Sequence, residues 1–165
     1  MTLNIEHITQ NENTQLDLQT VEKAKLVPLT VRLVSSVNEF SELEDVWDRL
    51  AIESSSTIYQ TFAWSFYWWK SYSTKRQHEL YILLFYDGTH LVGIAPLFIY
   101  KELFFGIPFT RCLGFLGCGT SFAKSFGFFL DNGPSDYLDV LIMPEYESSV
   151  AEAFLDYLSK QHGLY

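Results

Sequence analysis

The chain has 165 residues, of which 48% are hydrophobic and 17% aromatic, enough for one packed domain but too few for two complete domains. Lysine and arginine total 11 against 20 for aspartate and glutamate, which gives a net charge of -9. This charge opposes the counterion release that drives most nucleic-acid binding, and it repels acidic membrane surfaces. The composition therefore argues against a nucleic-acid-binding protein.

The N-terminal residues, the most apolar region and the cysteines indicate in which cellular compartment the protein is located. Residues 1–15 contain no apolar segment behind a basic start, so no secretory signal is predicted. Charged residues and glycines interrupt the apolar region 97–130, which lacks the run of about 20 apolar residues that a membrane span requires. Cys112 and Cys118 are predicted to be buried, reduced thiols. These features together predict a cytoplasmic protein without a membrane span.

The first elements follow a polar segment. Residues 1–27 are rich in Asn, Gln, Thr and Glu without periodicity, and they are predicted to form a flexible N-terminal tail ahead of a domain at 28–165. Alternating apolar and β-branched residues at 29–34 predict a first strand. Ser36 and Glu39 then form a potential capping box at the start of a helix. The apolar residues of that helix, at helical spacing, are Phe40, Leu43, Trp47 and Leu50.

A second helix and a hairpin come next. Residues 61–72 are rich in tryptophan, tyrosine and phenylalanine and are predicted to form an aromatic helix. The apolar, β-prone segments 79–86 and 91–100 flank an Asp-Gly pair at 87–88, which favours a tight hairpin turn. Pro96 lacks an N-H donor, so we expect it at a sheet edge, at a bulge or where two strands splay apart.

The last third of the chain is predicted less completely. Strands are expected at 111–116 and 137–143, separated by a stretch rich in phenylalanine and glycine that has no clear pattern. Pro144 then opens a helix, and Gly163 is placed to end it. The apolar pair after Gly163 stands where a next strand would begin, so we expect a sheet that is incomplete at the C-terminal end of this chain.

Several short motifs succeed one another in a specific order. They are WDRL at 47–50, TFAW at 61–64 with WW at 68–69, DG at 87–88 with LVGIAPL at 91–97, LGFLG at 113–117, and SDYLD at 135–139. This succession resembles the CelD-type acetyltransferase family associated with cellulose biosynthesis, a FemAB-like branch of the GNAT superfamily. The resemblance covers the chain from about residue 29 to its end.

The resemblance implies an α/β (α+β) fold, with a GNAT-like mixed, largely antiparallel sheet flanked by helices. Proteins of this kind carry two GNAT-like halves in tandem, and the second half usually holds the acyl-CoA groove. The resemblance therefore implies the N-terminal half of an acyl-CoA-dependent N-acyltransferase, with acetyl-CoA or another acyl-CoA bound mainly by the other half. The implied acceptor is a small amine of a sugar or amino-acid derivative, and the implied setting is polysaccharide biosynthesis.

A second hypothesis comes from a different class of protein. Here the chain is a non-catalytic module that binds the acceptor or a partner and supports a separate catalytic half. It is motivated by residues 111–117, which approach the Gln/Arg-x-x-Gly-x-Gly/Ala turn that holds a pyrophosphate, except that Leu116 occupies a position for a small residue. We interpret this segment as a strand with glycine kinks, with a phosphate cradle as the alternative. An uncovered sheet edge also predicts self-association.

Two groups of residues are candidates for the site. Asp136, Tyr137 and Asp139 are the candidate catalytic residues, because a carboxylate beside a phenol could orient an amine or take its proton. Strand alternation places Tyr137 and Asp139 on one face and Asp136 on the other. In the alternative interpretation Asp136 caps a turn and Tyr137 packs in the core.

Aromatic residues of the second helix form the other group. Trp64, Trp68 and Trp69 are candidates for binding a sugar or acyl group, since aromatic faces suit such ligands. Trp64 and Trp68 lie one helical turn apart and are expected to share a face, and core packing explains the same pattern. The four histidines are scattered along the chain, so no metal site is predicted.

Overall fold

The computed structural model describes residues 26–73, 78–104, 107–118 and 138–161, which contain a five-stranded sheet and four α-helices. The strands are β1 (Thr30–Val34), β2 (Glu79–Asp87), β3 (His90–Phe104), β4 (Ile107–Phe115) and β5 (Leu141–Ile142). The helices are α1 (Val37–Ser41), α2 (Glu44–Glu53), α3 (Phe62–Tyr72) and α4 (Glu147–Ser159).

The sheet has the strand order β1-β2-β3-β4, and β5 pairs with β3 beside this path. Each of the four described pairings is antiparallel. Helices lie on both sides of the sheet, because the residues of its two faces pack in two separate hydrophobic clusters. The structure therefore confirms a mixed α+β fold with a largely antiparallel sheet flanked by helices.

The β2–β3 hairpin forms as predicted. Asp87 pairs with His90 across a two-residue turn, and Gly88 takes the positive φ of 58° that such a turn requires of its first position. The register shifts between Phe85 and Tyr86, whose partners on β3 are Gly93 and Leu91. Val92 is therefore the extra residue of a β-bulge on β3.

Pro96 lies at the point where β3 changes its partner strand. On the side away from β2, β3 pairs with β5 at Gly93 and Ile94, and with β4 from Leu97 onward. The Pro96 carbonyl accepts a hydrogen bond from the Leu116 N-H at 2.8 Å. Because N-H and C=O of one residue point to the same side in an antiparallel strand, the missing N-H falls in the gap between β5 and β4. Of the three positions expected for Pro96, the structure thus confirms the one at which two strands splay apart.

The two faces of the sheet bury different helices. On β2, Leu80, Ile82 and Leu84 pack against α1, α2 and α3, whereas Leu83 and Phe85 pack against α4. Alternation along the strand separates these two sets, so β2 is buried on both faces from Leu80 to Phe85, between the charged residues Glu79 and Asp87 at its ends. The protein thus has three layers, with the sheet in the middle.

The helical segment after β1 differs from the prediction in one respect. Ser36 caps α1 through its Oγ, which accepts a hydrogen bond from the Glu39 N-H at 3.2 Å, as the capping box predicts. The segment then breaks at Glu42 and Leu43, so it forms two helices instead of one. The four apolar residues predicted to face the core are nevertheless buried: Phe40, Leu43, Trp47 and Leu50.

Two further expectations are corrected at the C-terminal end. Of the strand predicted at 137–143, the structure describes residues 138–143, and of these only Leu141–Ile142 are a regular strand, because β5 meets β3 over two register pairs. The last helix begins with the 3₁₀ turn Pro144–Tyr146, as its proline predicts, but α4 ends at Ser159 with Lys160 as its C-cap. Gly163 lies outside the described residues, as do residues 1–25 of the predicted tail.

Side chains of α2 fix the turn that leads into α3. The Trp47 indole Nε1-H donates to the Gln60 carbonyl at 2.8 Å, and Asp48 Oδ1 accepts from the Phe62 N-H at 3.0 Å. Phe62 is the first residue of α3, so the Asp48 carboxylate satisfies one of the unpaired amides at that helix end. Two neighbouring residues of one helix therefore set the start of the next.

The Asp48 contact can be tested by removing the carboxylate. We expect Asp48→Ala to lower the free energy of unfolding by about 1 kcal/mol, the typical effect of losing a helix cap. The measurement is urea unfolding followed by tryptophan fluorescence. Glu53→Ala, which removes an exposed carboxylate from the same helix, should change the free energy by less than about 0.5 kcal/mol. Equal effects of the two substitutions would contradict the capping role.

A tyrosine at the start of α4 connects this helix to the hairpin. The Tyr146 hydroxyl donates to Asp87 Oδ2 at 3.0 Å. The hydrogen bond to Asp87 is the main reason why the pKa of Tyr146 lies above its ordinary value, and burial adds to the shift. Because the folded-state pKa is the higher one, this contact stabilises the fold fully below the unfolded-state pKa and is lost as the pH rises through the folded-state value.

The pH dependence provides the test of this contact. Tyr146→Phe should lower the urea midpoint at about pH 7, and its difference from the parent chain should shrink as the pH rises above the ordinary pKa of tyrosine and the phenol ionises. Tyr67→Phe, a substitution at an exposed phenol, serves as the control and should leave the midpoint at neutral pH unchanged. A difference between Tyr146→Phe and the parent that stays constant across this range would show that the hydrogen bond is unimportant.

Candidate functional site

A polar cavity of about 440 Å³ lies along β5, between this strand and the loop after α2. We call it the edge cleft. Its polar lining consists of Ser54, Ser55, Ser56, Gln60, Asp139 and Glu147, and its floor is formed by Val140, Leu141 and Ile142. No described strand pairs with the side of β5 away from β3. The predicted self-association through such an edge stays a prediction.

Asp139 is the candidate catalytic residue that the structure places in this cavity. Its side chain is exposed, and its Oδ1 accepts a hydrogen bond from the Val140 N-H at 2.7 Å. Among the described residues, Oδ2 has no hydrogen-bond partner and can contact a ligand. Asp136 and Tyr137 lie outside the described residues, so the predicted pairing of a carboxylate with the Tyr137 phenol stays a prediction.

The three serines of the edge cleft end α2. The Ser54 and Ser56 hydroxyls donate to the Ala51 carbonyl at 3.4 and 2.9 Å, and the Ser56 N-H donates to the same carbonyl at 3.1 Å. Ser55 lies between them at a positive φ of 53°, in the left-handed region. This tight reversal satisfies a terminal carbonyl of α2 and turns the serines toward β5.

Sequence reasoning missed most of this cavity. The serines at 54–56 indicated only a break between two helices, because small polar residues are typical of loops. Gln60 and Glu147 carried no signal, since each belongs to a local helix start: Gln60 completes a capping box with Thr57, and Glu147 lies in the first turn of α4. Only Asp139 was predicted, from its spacing to Tyr137 on a strand.

The three tryptophans proposed as a binding surface have different surroundings. Trp68 and Trp69 are 4% and 6% exposed and belong to the core between α3 and the sheet. The ring of Trp68 lies 5.0 Å from that of Phe98 and stacks on Tyr72 at 5.3 Å. Trp64 is half-buried and meets Tyr59 edge to face at 5.1 Å. The contacts of Trp68 are those of a core residue, and none of the three lines the edge cleft.

A matched pair of substitutions tests this assignment of Trp68. Trp68→Ala should lower the free energy of unfolding by about 3 to 5 kcal/mol, as expected for a buried tryptophan. Tyr67→Ala, at a 67% exposed neighbour in the same helix, should cost less than about 0.5 kcal/mol. Chemical unfolding monitored by far-ultraviolet circular dichroism measures both values. A small cost for Trp68→Ala would instead favour a role in ligand binding.

The segment considered as a phosphate cradle, residues 111–117, does not begin a helix in the structure. Arg111 to Phe115 belong to β4, which confirms the strand interpretation of this segment and overturns the phosphate cradle within the described part. A carboxylate already lies at the start of each longer helix: Glu44 and Asp45 at α2, Asp48 at α3, and Glu147 at α4. These charges would repel a phosphate at the helix ends, which are the usual anion sites.

Metal-binding side chains do not cluster in the described part of the chain. In ranges 26–73, 78–104, 107–118 and 138–161, no group of three or more His, Cys, Asp or Glu could hold a metal ion. Cys112 and Cys118 are half-buried and are not joined in a disulfide. Within those ranges, no helix has both the length and the apolar character to cross a bilayer.

The comparison with known proteins found no relative of this chain. No protein-family model, no curated protein and no solved structure matches the chain. The resemblance carried by the motifs thus stays a prediction, and a function has to be argued from the fold and the edge cleft.

Proposed function

We propose that this chain is the N-terminal domain of an acyl-CoA-dependent N-acyltransferase, and that it binds the amine acceptor in the edge cleft. The observation that carries the proposal is the position of Asp139 and Glu147 in one polar cavity with three serines. An ammonium group is attracted by the two carboxylates, and the serine hydroxyls can hydrogen-bond to the hydroxyls of an amino sugar. The net charge of -9 favours the approach of a cation over that of an anion.

The division of labour is inferred from the carboxylates at the helix starts. Since carboxylates at the starts of α2, α3 and α4 disfavour a pyrophosphate there, we assign the acyl-CoA to a part of the enzyme other than the described residues. The resemblance to the CelD-type family supports the same arrangement, because in that family the second half usually carries the acyl-CoA groove. The role proposed for this domain is therefore to bind and orient the acceptor.

Asp139 has two tasks in this proposal. Its Oδ1 is held by the Val140 N-H, which fixes the carboxylate at the start of β5, and its Oδ2 faces a ligand. A fixed carboxylate can orient an ammonium group and can accept its proton. Glu147 lies in the first turn of α4, also lines the cleft and supplies the second negative charge.

The acceptor site is tested with a matched pair of sugars. Glucosamine carries the ammonium group and N-acetylglucosamine does not, so we expect only glucosamine to bind, with a dissociation constant of about 1 to 10 mM. Amide chemical shifts measured by NMR during the titration locate the site, and Ser55, Val140 and Ile142 should move most. Asp139→Asn and Glu147→Gln should each weaken binding about threefold to tenfold.

The control variant is Glu152→Gln, which removes an exposed carboxylate from α4 outside the cleft and should leave glucosamine binding unchanged. Acetyl-CoA titrated alone should not saturate the chain. Equal binding of both sugars, or loss of glucosamine binding with Glu152→Gln alone, would contradict the acceptor site. Saturable binding of acetyl-CoA to the described residues would contradict the division between the two halves.

The second candidate is a non-catalytic module that recognises an acceptor or partner. It is favoured by the same carboxylates at the helix starts, which disfavour a nucleotide-type phosphate at these three positions. An assay separates the two proposals: the protein expressed from the complete encoding gene is incubated with acetyl-CoA and glucosamine, and free CoA thiol is measured. Thiol release that requires Asp139 supports the transferase. Glucosamine binding without thiol release supports the module.

A further inference from the structure

Ser55, which lines the edge cleft, has an unusual backbone conformation. Its φ is 53°, and among the described residues it is the only one other than glycine with a positive φ. In this left-handed region a Cβ approaches the following carbonyl oxygen too closely, so glycine is the usual residue there. A serine at this position therefore lowers the stability of the fold, and its presence has to be explained.

The end of α2 imposes this conformation on Ser55. The Ser56 N-H donates to the Ala51 carbonyl at 3.1 Å, and the Ser55 N-H donates to the Ile52 carbonyl at 3.2 Å. These two hydrogen bonds are those of a Schellman motif, which needs a left-handed residue at the position of Ser55 and usually has glycine there. Both bonds are made by backbone atoms, so a glycine would form them equally well.

The Ser55 side chain has no structural role within the described part of the chain. The hydroxyls of Ser54 and Ser56 both donate to the Ala51 carbonyl, at 3.4 and 2.9 Å. Ser55 is exposed, and its hydroxyl has no hydrogen-bond partner among the described residues. Of the three serines of the edge cleft, Ser55 is therefore the one whose O-H group remains available to a ligand.

The carboxylates of the edge cleft define the other part of that ligand. Asp139 and Glu147 carry negative charge, and Oδ2 of Asp139 can bind an ammonium group. Both carboxylates line the same cavity of about 440 Å³ as Ser55, so one small molecule can contact a carboxylate and Ser55 together. A carboxylate can only accept a hydrogen bond, whereas the serine hydroxyl can donate one to an oxygen atom of the ligand.

We propose that Ser55 determines the specificity of the edge cleft, because its hydroxyl donates a hydrogen bond to an oxygen substituent of the acceptor, close to the amine that the carboxylates bind. The acceptor is then an amino alcohol, such as an amino sugar, and an alkylamine of the same size binds more weakly. This inference rests on the acceptor function proposed for the edge cleft and adds the chemical class that the cleft selects.

The binding test compares trans-2-aminocyclohexanol with cyclohexylamine. Both carry an ammonium group on a six-membered ring, and only the first carries a hydroxyl beside it. NMR titration of the chain should show the amino alcohol binding about threefold to tenfold more tightly. In Ser55→Gly and Ser55→Ala this preference should disappear, while cyclohexylamine binds as it does to the parent chain. Asp139→Asn should weaken the binding of both amines.

The stability of the same variants is measured independently of any ligand. Ser55→Gly should raise the melting temperature by about 2 to 4 °C, because glycine adopts the left-handed conformation without a Cβ clash. Ser55→Ala keeps the Cβ and should not raise it. Ser71→Gly is the matched control: this exposed serine lies within α3, so glycine there should lower the melting temperature and leave amine binding unchanged.

Three results would overturn the role of Ser55: both variants keep the preference for the amino alcohol, they weaken cyclohexylamine binding to the same extent, or Ser55→Gly lowers the melting temperature. Each of these, with amine binding to the parent chain intact, leaves the proposed acceptor function unaffected. If neither amine binds to the parent chain, the acceptor function is wrong, and the role of Ser55 is wrong as well.

Discussion

The change of partner strand along β3 is the constraint on which the rest of the structure depends. This 15-residue strand pairs with β2 on one side, and on the other side with β5 and then with β4. One edge can serve two strands because Pro96 has no N-H to leave unpaired in the gap between them. Since β5 is held there over only two register pairs, its far side and Asp139 are available to the edge cleft.

Several residues of the motif series have structural roles, and these roles explain why such residue types occur there without a bound ligand. Trp47 and Asp48 hydrogen-bond to the segment that starts α3, and Gly88 takes the positive φ of the hairpin turn. A Cβ at Gly93 would lie 3.1 Å from Val150 Cγ2 and 3.4 Å from the Leu141 carbonyl oxygen, so a glycine lets α4 and β5 approach β3 closely. These residues therefore build the domain, and among the described residues of the motif series only Asp139 lines the edge cleft.

The charge of the edge cleft decides which kind of ligand it favours. Its lining combines two carboxylates with hydroxyl groups, which suit an amine. The net charge of -9 acts in the same direction, because it attracts a cation.

The sequence by itself determined the features that depend on a few neighbouring residues. These are the cap by Ser36, the aromatic helix at Phe62–Tyr72 and the turn at Gly88, each encoded by local hydrogen bonding, side-chain periodicity or a restricted backbone angle. The sequence left three positions open for Pro96, and the strand pairing selected the splay point. Only the tertiary structure brought Ser54–Ser56 to Asp139 and joined Arg111 to Glu79, 32 positions apart. Such pairs depend on strand register and on the order in which the chain crosses the sheet. No short segment encodes either of these, because the local preferences of a residue do not depend on where its distant partner lies.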